Sequence, residues 1–350
     1  MSPAPRPGLR EVEPYQAPQL EVRARLNTNE CPYPLPEGFV EDLARAVREL
    51  PLHRYPDREA TRLREGLAEA AGHAPEGTWV ANGSNEVLLQ LLLAYGGPGR
   101  TALVFPPTYA LHERIAWTAH TGVARVPLGP GFLLGPEEVD RAVELRPEVA
   151  LVCSPNNPTG NAQPLDVVER LASALDGLVI VDEAYVEFGG ESALPLVRRH
   201  PNVVVVRTFS KAFALAGARI GYCLAAPEVV EDLRRVRLPY HVSALTQAAG
   251  LAALRHRAEA EAILDAVRRE RDRILSALRA MPGVEAFPSD ANFVLFRPPR
   301  PAPLVFRGLL DRGVLVRDLS EAVEGCLRVT AGTPAEVDLF LEALEEVLGA

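Results

Sequence analysis

The sequence predicts an α/β fold: a large domain on a mainly parallel sheet covered by helices, a smaller α/β C-terminal domain, and an N-terminal arm. Three observations point there. Apolar runs such as Leu178-Val179-Ile180-Val181 are continuous rather than alternating, as expected of strands buried on both faces. Segments of helical composition separate most of these runs. After Pro239 the pattern changes, and a long helical stretch leads into a second, shorter alternation.

Residues 1–35 are proline-rich and poorly periodic, and read as an extended arm that packs with the small domain. Residues 37–50 and 57–71 read as amphipathic helices around a turn at 51–56. Strands are expected at 79–81, 101–105, 123–126, 149–153, 179–182, 203–207 and 220–224, with helices at 86–94, 110–120 and 165–175 among those between them. Together 36–243 form the large domain. Residues 244–280 read as one connecting helical segment with Gly250 as its interruption, ended by Pro282-Gly283. The small domain, 281–350, has strands near 284–287, 292–296, 314–316 and 327–330, and helices at 304–311 and 335–348.

Composition excludes several function classes. A formal charge of −9 over 350 residues argues against a nucleic-acid binder, which carries a basic stripe. No stretch approaches the ~20 apolar residues of a membrane span. The first residues lack the apolar core of a secretion signal, so a cytoplasmic location is expected. Cys31, Cys153, Cys223 and Cys326 lie far apart without CxxC, and no HExxH occurs, so neither a disulfide nor a metal is expected. No GxGxxG follows an early strand, which argues against a dinucleotide dehydrogenase.

One count is sharper. Of 37 basic residues, 36 are arginine and one, Lys211, is lysine. Arginine replaces lysine as a surface charge, but a guanidinium keeps its proton and cannot serve as an amine nucleophile. A chain that keeps one lysine suggests imine chemistry, with a chance leftover as the plain alternative. Lys211 ends the segment Thr208-Phe209-Ser210-Lys211, at the carboxyl end of a strand, where ligands of such sheets collect. Ser210 and Arg219 offer a hydroxyl and a bidentate cation, a sensible phosphate cradle.

Four other loops add to it. The strand at 179–182 ends in Asp182, a carboxylate that needs a cationic partner, such as a protonated pyridine nitrogen. Tyr185 could donate to a phenolic oxygen on that ring, although an N-cap Asp and a surface Tyr would look the same. In Ser154-Pro155-Asn156-Asn157-Pro158-Thr159-Gly160 the prolines and glycine hold the Asn157 amide in one orientation. Gly83, Ser84 and Asn85 open a helix whose free N–H groups favour a phosphate, or simply form a cap. Tyr109, after Pro106-Pro107-Thr108, could stack on a flat ring or merely pack.

These segments closely resemble those of fold-type I, class II pyridoxal-phosphate-dependent aminotransferases, from about Pro14 to Thr333. The resemblance rests on Ser-Pro-Asn-Asn-Pro-Thr-Gly at 154–160, Asp-Glu-Ala-Tyr at 182–185, Phe-Ser-Lys-Ala-Phe at 209–213 and Gly-Ala-Arg-Ile-Gly-Tyr at 217–222. Among these enzymes it is strongest to those acting on histidinol phosphate, through Pro14-Tyr15-Gln16, Leu26-Asn27-Thr28-Asn29-Glu30, Arg54-Tyr55-Pro56-Asp57 and Gly325-Cys326-Leu327-Arg328-Val329-Thr330.

The resemblance implies pyridoxal 5′-phosphate bound covalently to Lys211, which also moves the substrate Cα proton. It implies Asp182 on the ring nitrogen, Tyr185 and Asn157 on the ring oxygen, and Tyr109 stacked on the ring. Gly83, Ser84, Asn85, Ser210 and Arg219 would hold the phosphate, joined by Tyr55 from a second subunit of a homodimer. Arg328 would grip the carboxylate of glutamate, with Tyr15, Asn29, Tyr55, Asn157 and Arg317 also at the substrate. The partners are then an amino donor and a 2-oxo acid. An aromatic or broad-specificity aminotransferase, a threonine-phosphate decarboxylase-like lyase and a ligand sensor that kept the fold stay open as alternatives. Cys31, Ala218 and Ser84-Asn85 depart from residues common in the family.

Overall fold

The computed structural model describes residues 3–6, 8–12, 14, 16 and 18–349. Strand β1 (Ala24–Arg25) lies in the arm, and helices α1 (Glu37–Glu49) and α2 (Thr61–Ala71) follow it. The second helix starts later than residue 57 because Asp57 stands before it, its carboxylate accepting from Glu59 N and Thr61 N.

The main sheet is built from β2 (Thr78–Ala81), β3 (Thr101–Val104), β4 (Gly122–Arg125), β5 (Val149–Cys153), β6 (Leu178–Asp182), β7 (Val203–Thr208) and β8 (Gly221–Leu224). Helices α3 (Ser84–Tyr95), α4 (Leu111–Thr118), α5 (Pro136–Glu144), α6 (Leu165–Ala174), α7 (Leu194–Val197) and α8 (Pro227–Val236) accompany it. The spatial order is β2-β8-β7-β6-β5-β3-β4, with only β8 antiparallel to its neighbours. Every residue of β5 and β6 is buried, whereas edge strand β4 is partly exposed. Along β6 and β7 alternate side chains join different clusters: Val179, Val181, Val203 and Val205 pack on one face, and Leu178, Ile180, Val204 and Val206 on the other. Helices therefore cover both faces, which is why these runs do not alternate in the sequence.

The helical stretch after Pro239 is not one helix. It divides at His256 into α9 (Ala244–Arg255) and α10 (Arg257–Ala280), while Gly250 sits inside α9. Gly250 serves packing: a Cβ there would lie 2.7 Å from Leu63 Cδ1. The break lets α9 bury Ala249, Ala252 and Ala253 against the main sheet while α10 buries Leu264, Val267, Ile274 and Leu278 elsewhere.

That second core surrounds a four-stranded antiparallel sheet of β9 (Glu285–Ala286), β10 (Phe293–Arg297), β12 (Arg317–Asp318) and β13 (Leu327–Thr330), in the order β12-β13-β10-β9. Between them, β11 (Val314–Leu315) pairs instead with β1 in parallel. Helices α11 (Ala302–Asp311) and α12 (Pro334–Gly349) complete it, and the arm's Ala24 and Leu26 are buried in the same cluster.

Candidate active site

Strand direction brings the loops together. Strands β2, β3, β5, β6 and β7 all point one way, so their carboxyl ends share one edge, and the reversed β8 places its start there too. At that edge lies a cavity of about 220 Å³. Lys211, Asp182, Tyr185, Asn157, Ser84, Asn85, Tyr109, Ser210 and Arg219 line it from the main sheet, joined by Asn29 of the arm and by Arg317 and Arg328 of the four-stranded sheet.

One end is built for an anion. Helix α3 starts at Ser84 after Gly83, whose φ of 84° suits glycine. A Cβ on Gly83 would lie 2.5 Å from Arg219 Nη2, so the guanidinium reaches the loop because that side chain is missing. Arg219 Nη1 donates to Ser210 Oγ at 3.3 Å and to Ala216 O at 3.0 Å. Gly221 is tighter still: its Cβ would meet Gly83 C at 2.1 Å and Ser84 N at 2.2 Å. The start of α3, the Ser210 hydroxyl and the Arg219 guanidinium thus lie side by side, an arrangement suited to a phosphate.

The other end holds a carboxylate. Asp182 is buried, and His112 Nε2 lies 3.1 Å from its Oδ2, while Ala184 N donates to Oδ1 at 3.2 Å. His112 is fully buried with Nδ1 sealed and unpartnered. Sequence reasoning missed it, although the signal was present: His112 stands three residues after Tyr109 at the start of a helix, hence on the same face. Tyr109 OH donates to Asn85 Oδ1 at 3.2 Å.

Between the two ends stand Lys211 and Tyr185. Lys211 Nζ donates to Thr28 O at 3.2 Å and lies 5.8 Å from the Tyr185 ring centroid. Burial, with the Arg328 charge adding to it, pushes the amine down to about 8. Burial holds the Tyr185 phenol above its ordinary value. Its OH accepts from Asn29 Nδ2 at 3.0 Å and from Asn157 Nδ2 at 3.4 Å. Arg328 Nη1 donates to Asn157 Oδ1 at 2.5 Å and Nη2 to Asn27 O at 3.0 Å. Asn27, Thr28 and Thr208, each inside a segment already singled out, also line the cavity, as do Leu319 and Ala322, which nothing in their local sequence marks.

Two expected site residues are not in this group. Tyr55 is 79% exposed and stacks on Tyr240 with centroids 4.4 Å apart, outside the cavity of its own chain. Tyr15 lies outside the described residues. Among the described residues no group of His, Cys, Asp and Glu is arranged to hold a metal, and no helix is long and apolar enough to cross a membrane.

Comparison with known proteins gives the chain's kin. It is 50% identical to the histidinol-phosphate aminotransferase of Thermobifida fusca, over 98% of this chain and 95% of that one. To the enzyme of the same name from Frankia casuarinae it is 48% identical, over 98% and 90%. Its fold superposes with a TM-score of 0.85 on the histidinol-phosphate aminotransferase of Sinorhizobium meliloti, solved in complex with pyridoxal-5′-phosphate, at 26% identity over 94% of this chain and 92% of that one. Residues 24–344 match the model of the aminotransferase class I and II family. With the geometry above, this leaves one conclusion about kinship: the chain belongs to the class I and II aminotransferases.

Proposed function

We propose that this chain is a pyridoxal-phosphate-dependent aminotransferase that passes the amino group of L-histidinol phosphate to 2-oxoglutarate, giving imidazole acetol phosphate and L-glutamate in histidine biosynthesis. The observation that carries the reading is the setting of Lys211, the chain's one lysine, half-buried in the cavity between an anion cradle and a carboxylate. The cavity fits the cofactor on its own terms. It has a phosphate site cleared by two glycines, a buried acid at the far end, and a polar pair midway for a ring oxygen. Near relatives that carry histidinol phosphate in their name support the substrate. So do two cations, Arg317 and Arg328, which face the cavity beyond the cradle.

Bound there, pyridoxal phosphate would supply an aldehyde that bonds to amines and a cationic ring that withdraws electrons from the substrate Cα. The chain's residues do the rest. Ser84, Asn85, Ser210 and Arg219 hold the phosphate. Tyr109 covers the ring face, and Tyr185 and Asn157 fix the ring oxygen. Asp182, held by His112, faces the ring nitrogen. Lys211 Nζ anchors the cofactor, then takes the proton from substrate Cα and returns it. An amine pushed down to about 8 is partly neutral near pH 7, as that exchange requires. Arg328 receives the carboxylate of glutamate or 2-oxoglutarate, and the same pocket, with Arg317 and Tyr15, receives the substrate phosphate; Asn29 orients Tyr185.

We further propose a homodimer in which Tyr55 reaches the neighbouring subunit's cofactor phosphate. The arm at 1–35 and the small domain at 281–350 then flank the large domain at 36–243, with 244–280 as connection; the separate cores support this division. A cytoplasmic setting agrees with four free cysteines.

Borohydride reduction of the holo-protein followed by digestion tests the reading. One tagged lysine peptide, containing Lys211, is expected; label at the N-terminal amine alone, or on no peptide, would refute it. Kinetics with histidinol phosphate and with phenylalanine, each paired with 2-oxoglutarate, test the substrate. A higher kcat/KM for histidinol phosphate is expected, and release of carbon dioxide without amino transfer would favour a lyase.

A further inference from the structure

Asn29 is buried in the arm with φ at +54°, a left-handed conformation that asparagine tolerates better than most residues. The backbone around it is pinned at several points. Thr330 N donates to Leu26 O at 2.9 Å, Arg328 Nη2 to Asn27 O at 3.0 Å, and Asn292 Nδ2 to Asn29 O at 3.1 Å. These bonds seat the arm on the four-stranded sheet without help from the Thr330 side chain.

The Thr330 hydroxyl makes two further bonds, both to Asn29. Its Oγ1 accepts from Asn29 N at 3.1 Å and donates to Asn29 Oδ1 at 3.1 Å. A hydroxyl has one proton to give, and here that proton is used only when the facing side-chain atom is the carbonyl oxygen. The amide nitrogen is thereby turned the other way, towards Tyr185, where Nδ2 donates to the phenol OH at 3.0 Å. Asn157 Nδ2 approaches the same oxygen at 3.4 Å. The Tyr185 ring is set by Phe293, the register partner of Thr330, which meets it edge-on with centroids 5.2 Å apart. With amide donors on its lone pairs, the phenol keeps its own proton for another partner. A flipped Asn29 would instead offer its carbonyl to that proton and draw it away.

We propose that Thr330 is a positioning residue: its hydroxyl fixes the orientation of the Asn29 amide, so that Tyr185 is left to donate to the cofactor's ring oxygen. The inference rests on the reading above that Tyr185 bonds that oxygen. Arg328, Cys153 and Asp182 also act on the phenol, and Lys211 Nζ lies 5.8 Å from its ring. A change confined to the hydroxyl at 330 leaves all four groups in place.

The test is the absorbance of the bound cofactor across a pH series, read on resting holoenzymes without substrate. As pH rises, the cofactor loses the proton shared between its ring oxygen and the nitrogen that joins it to Lys211. A hydroxyl donating to the oxygen competes with that proton and lowers the midpoint of the change. Tyr185→Phe removes the donor outright and should raise the midpoint by about one pH unit, the scale of one hydrogen bond to a charged oxygen. Thr330→Val keeps the shape without the hydroxyl and should raise it by about half a unit, as should Thr330→Ala, while Thr330→Ser should stay within about 0.2 units of wild type. Asn292→Ala is the control for a loosened arm: it removes a bond to the Asn29 backbone, so it should lower the melting temperature and leave the midpoint within about 0.2 units. An unmoved midpoint in the two hydroxyl-free variants would overturn the proposal. So would failure of serine to rescue, or a shift in Asn292→Ala as large as in Thr330→Val. If Tyr185→Phe leaves the midpoint unmoved, the ring-oxygen reading fails, and this inference with it.

Discussion

Lys211 can act near neutral pH because of where its amine is buried. Removing it from water disfavours the ammonium form, and the Arg328 charge does the same, so the group falls from 10.5 to about 8. The neutral amine is the form that attacks an aldehyde, and its share grows as pH rises through that value. In protein stripped of cofactor, the rate of chromophore formation on adding pyridoxal phosphate should therefore climb with pH and reach half its maximum near 8. A midpoint near the ordinary lysine value would contradict the geometry. Arg328→Gln removes a positive neighbour that disfavours the ammonium, so its midpoint should move upward; stopped-flow absorbance across a pH series reads both. At this scale the sequence was unusually legible, because a lone lysine among 36 arginines stands out by count. His112 was missed: its spacing from Tyr109 was a signal, but its role depends on a partner seventy residues away on β6.

Elements meet where small residues let backbones approach, and β8 shows the requirement most sharply. Gly221 begins the strand whose pairing with β2 brings Arg219 beside the start of α3. A methyl group there would overlap the Gly83 carbonyl carbon and the Ser84 nitrogen, which are backbone atoms without a rotamer to yield. Gly221→Ala should thus push α3 away from Arg219 and open the anion cradle. Overpacking of this kind costs about 1–3 kcal/mol, occasionally more, and here part of the damage falls on binding. The melting temperature should fall, and the variant should lose cofactor on dialysis under conditions where wild type keeps it. Unchanged cofactor retention would mean that the cradle does not depend on this approach. Elements were legible in proportion to how fully they are buried. Strands β5, β6 and β7 stood out as continuous apolar runs, while the two-residue β1 and β12 carry too little pattern to be seen; β11, equally short, is buried and was expected at 314–316. Long-range contact also decided the helix break: Gly250 looked like the interruption, but it is needed against Leu63, and the chain turns at His256 instead.

For the whole molecule, the exposed surface near Tyr55 raises the question of a second subunit. Leu52, Tyr55, Leu238 and Leu245 are 61, 79, 77 and 45% exposed, and Tyr55 lies stacked on Tyr240 rather than buried by its own chain. A patch of this kind is what a two-fold dimer covers, since the same surface serves both copies. The proposal that Tyr55 completes the neighbour's phosphate site can be separated from a role within its own chain by mixing two defective variants. Tyr55→Phe keeps the ring and removes only the hydroxyl. Losing one hydrogen bond to a charged group costs about 1.5–3 kcal/mol, so its cofactor affinity should drop by at least about tenfold. Lys211→Ala is inactive but retains Tyr55. In a mixed dimer the Tyr55→Phe chain supplies the lysine and the Lys211→Ala chain supplies the hydroxyl, which makes one site whole. With cofactor set low enough to starve Tyr55→Phe, a statistical mixture should recover about a quarter of wild-type activity: half of the dimers are mixed and each has one good site. If Tyr55 served its own chain, the mixed dimer would contain no intact site and no activity would return.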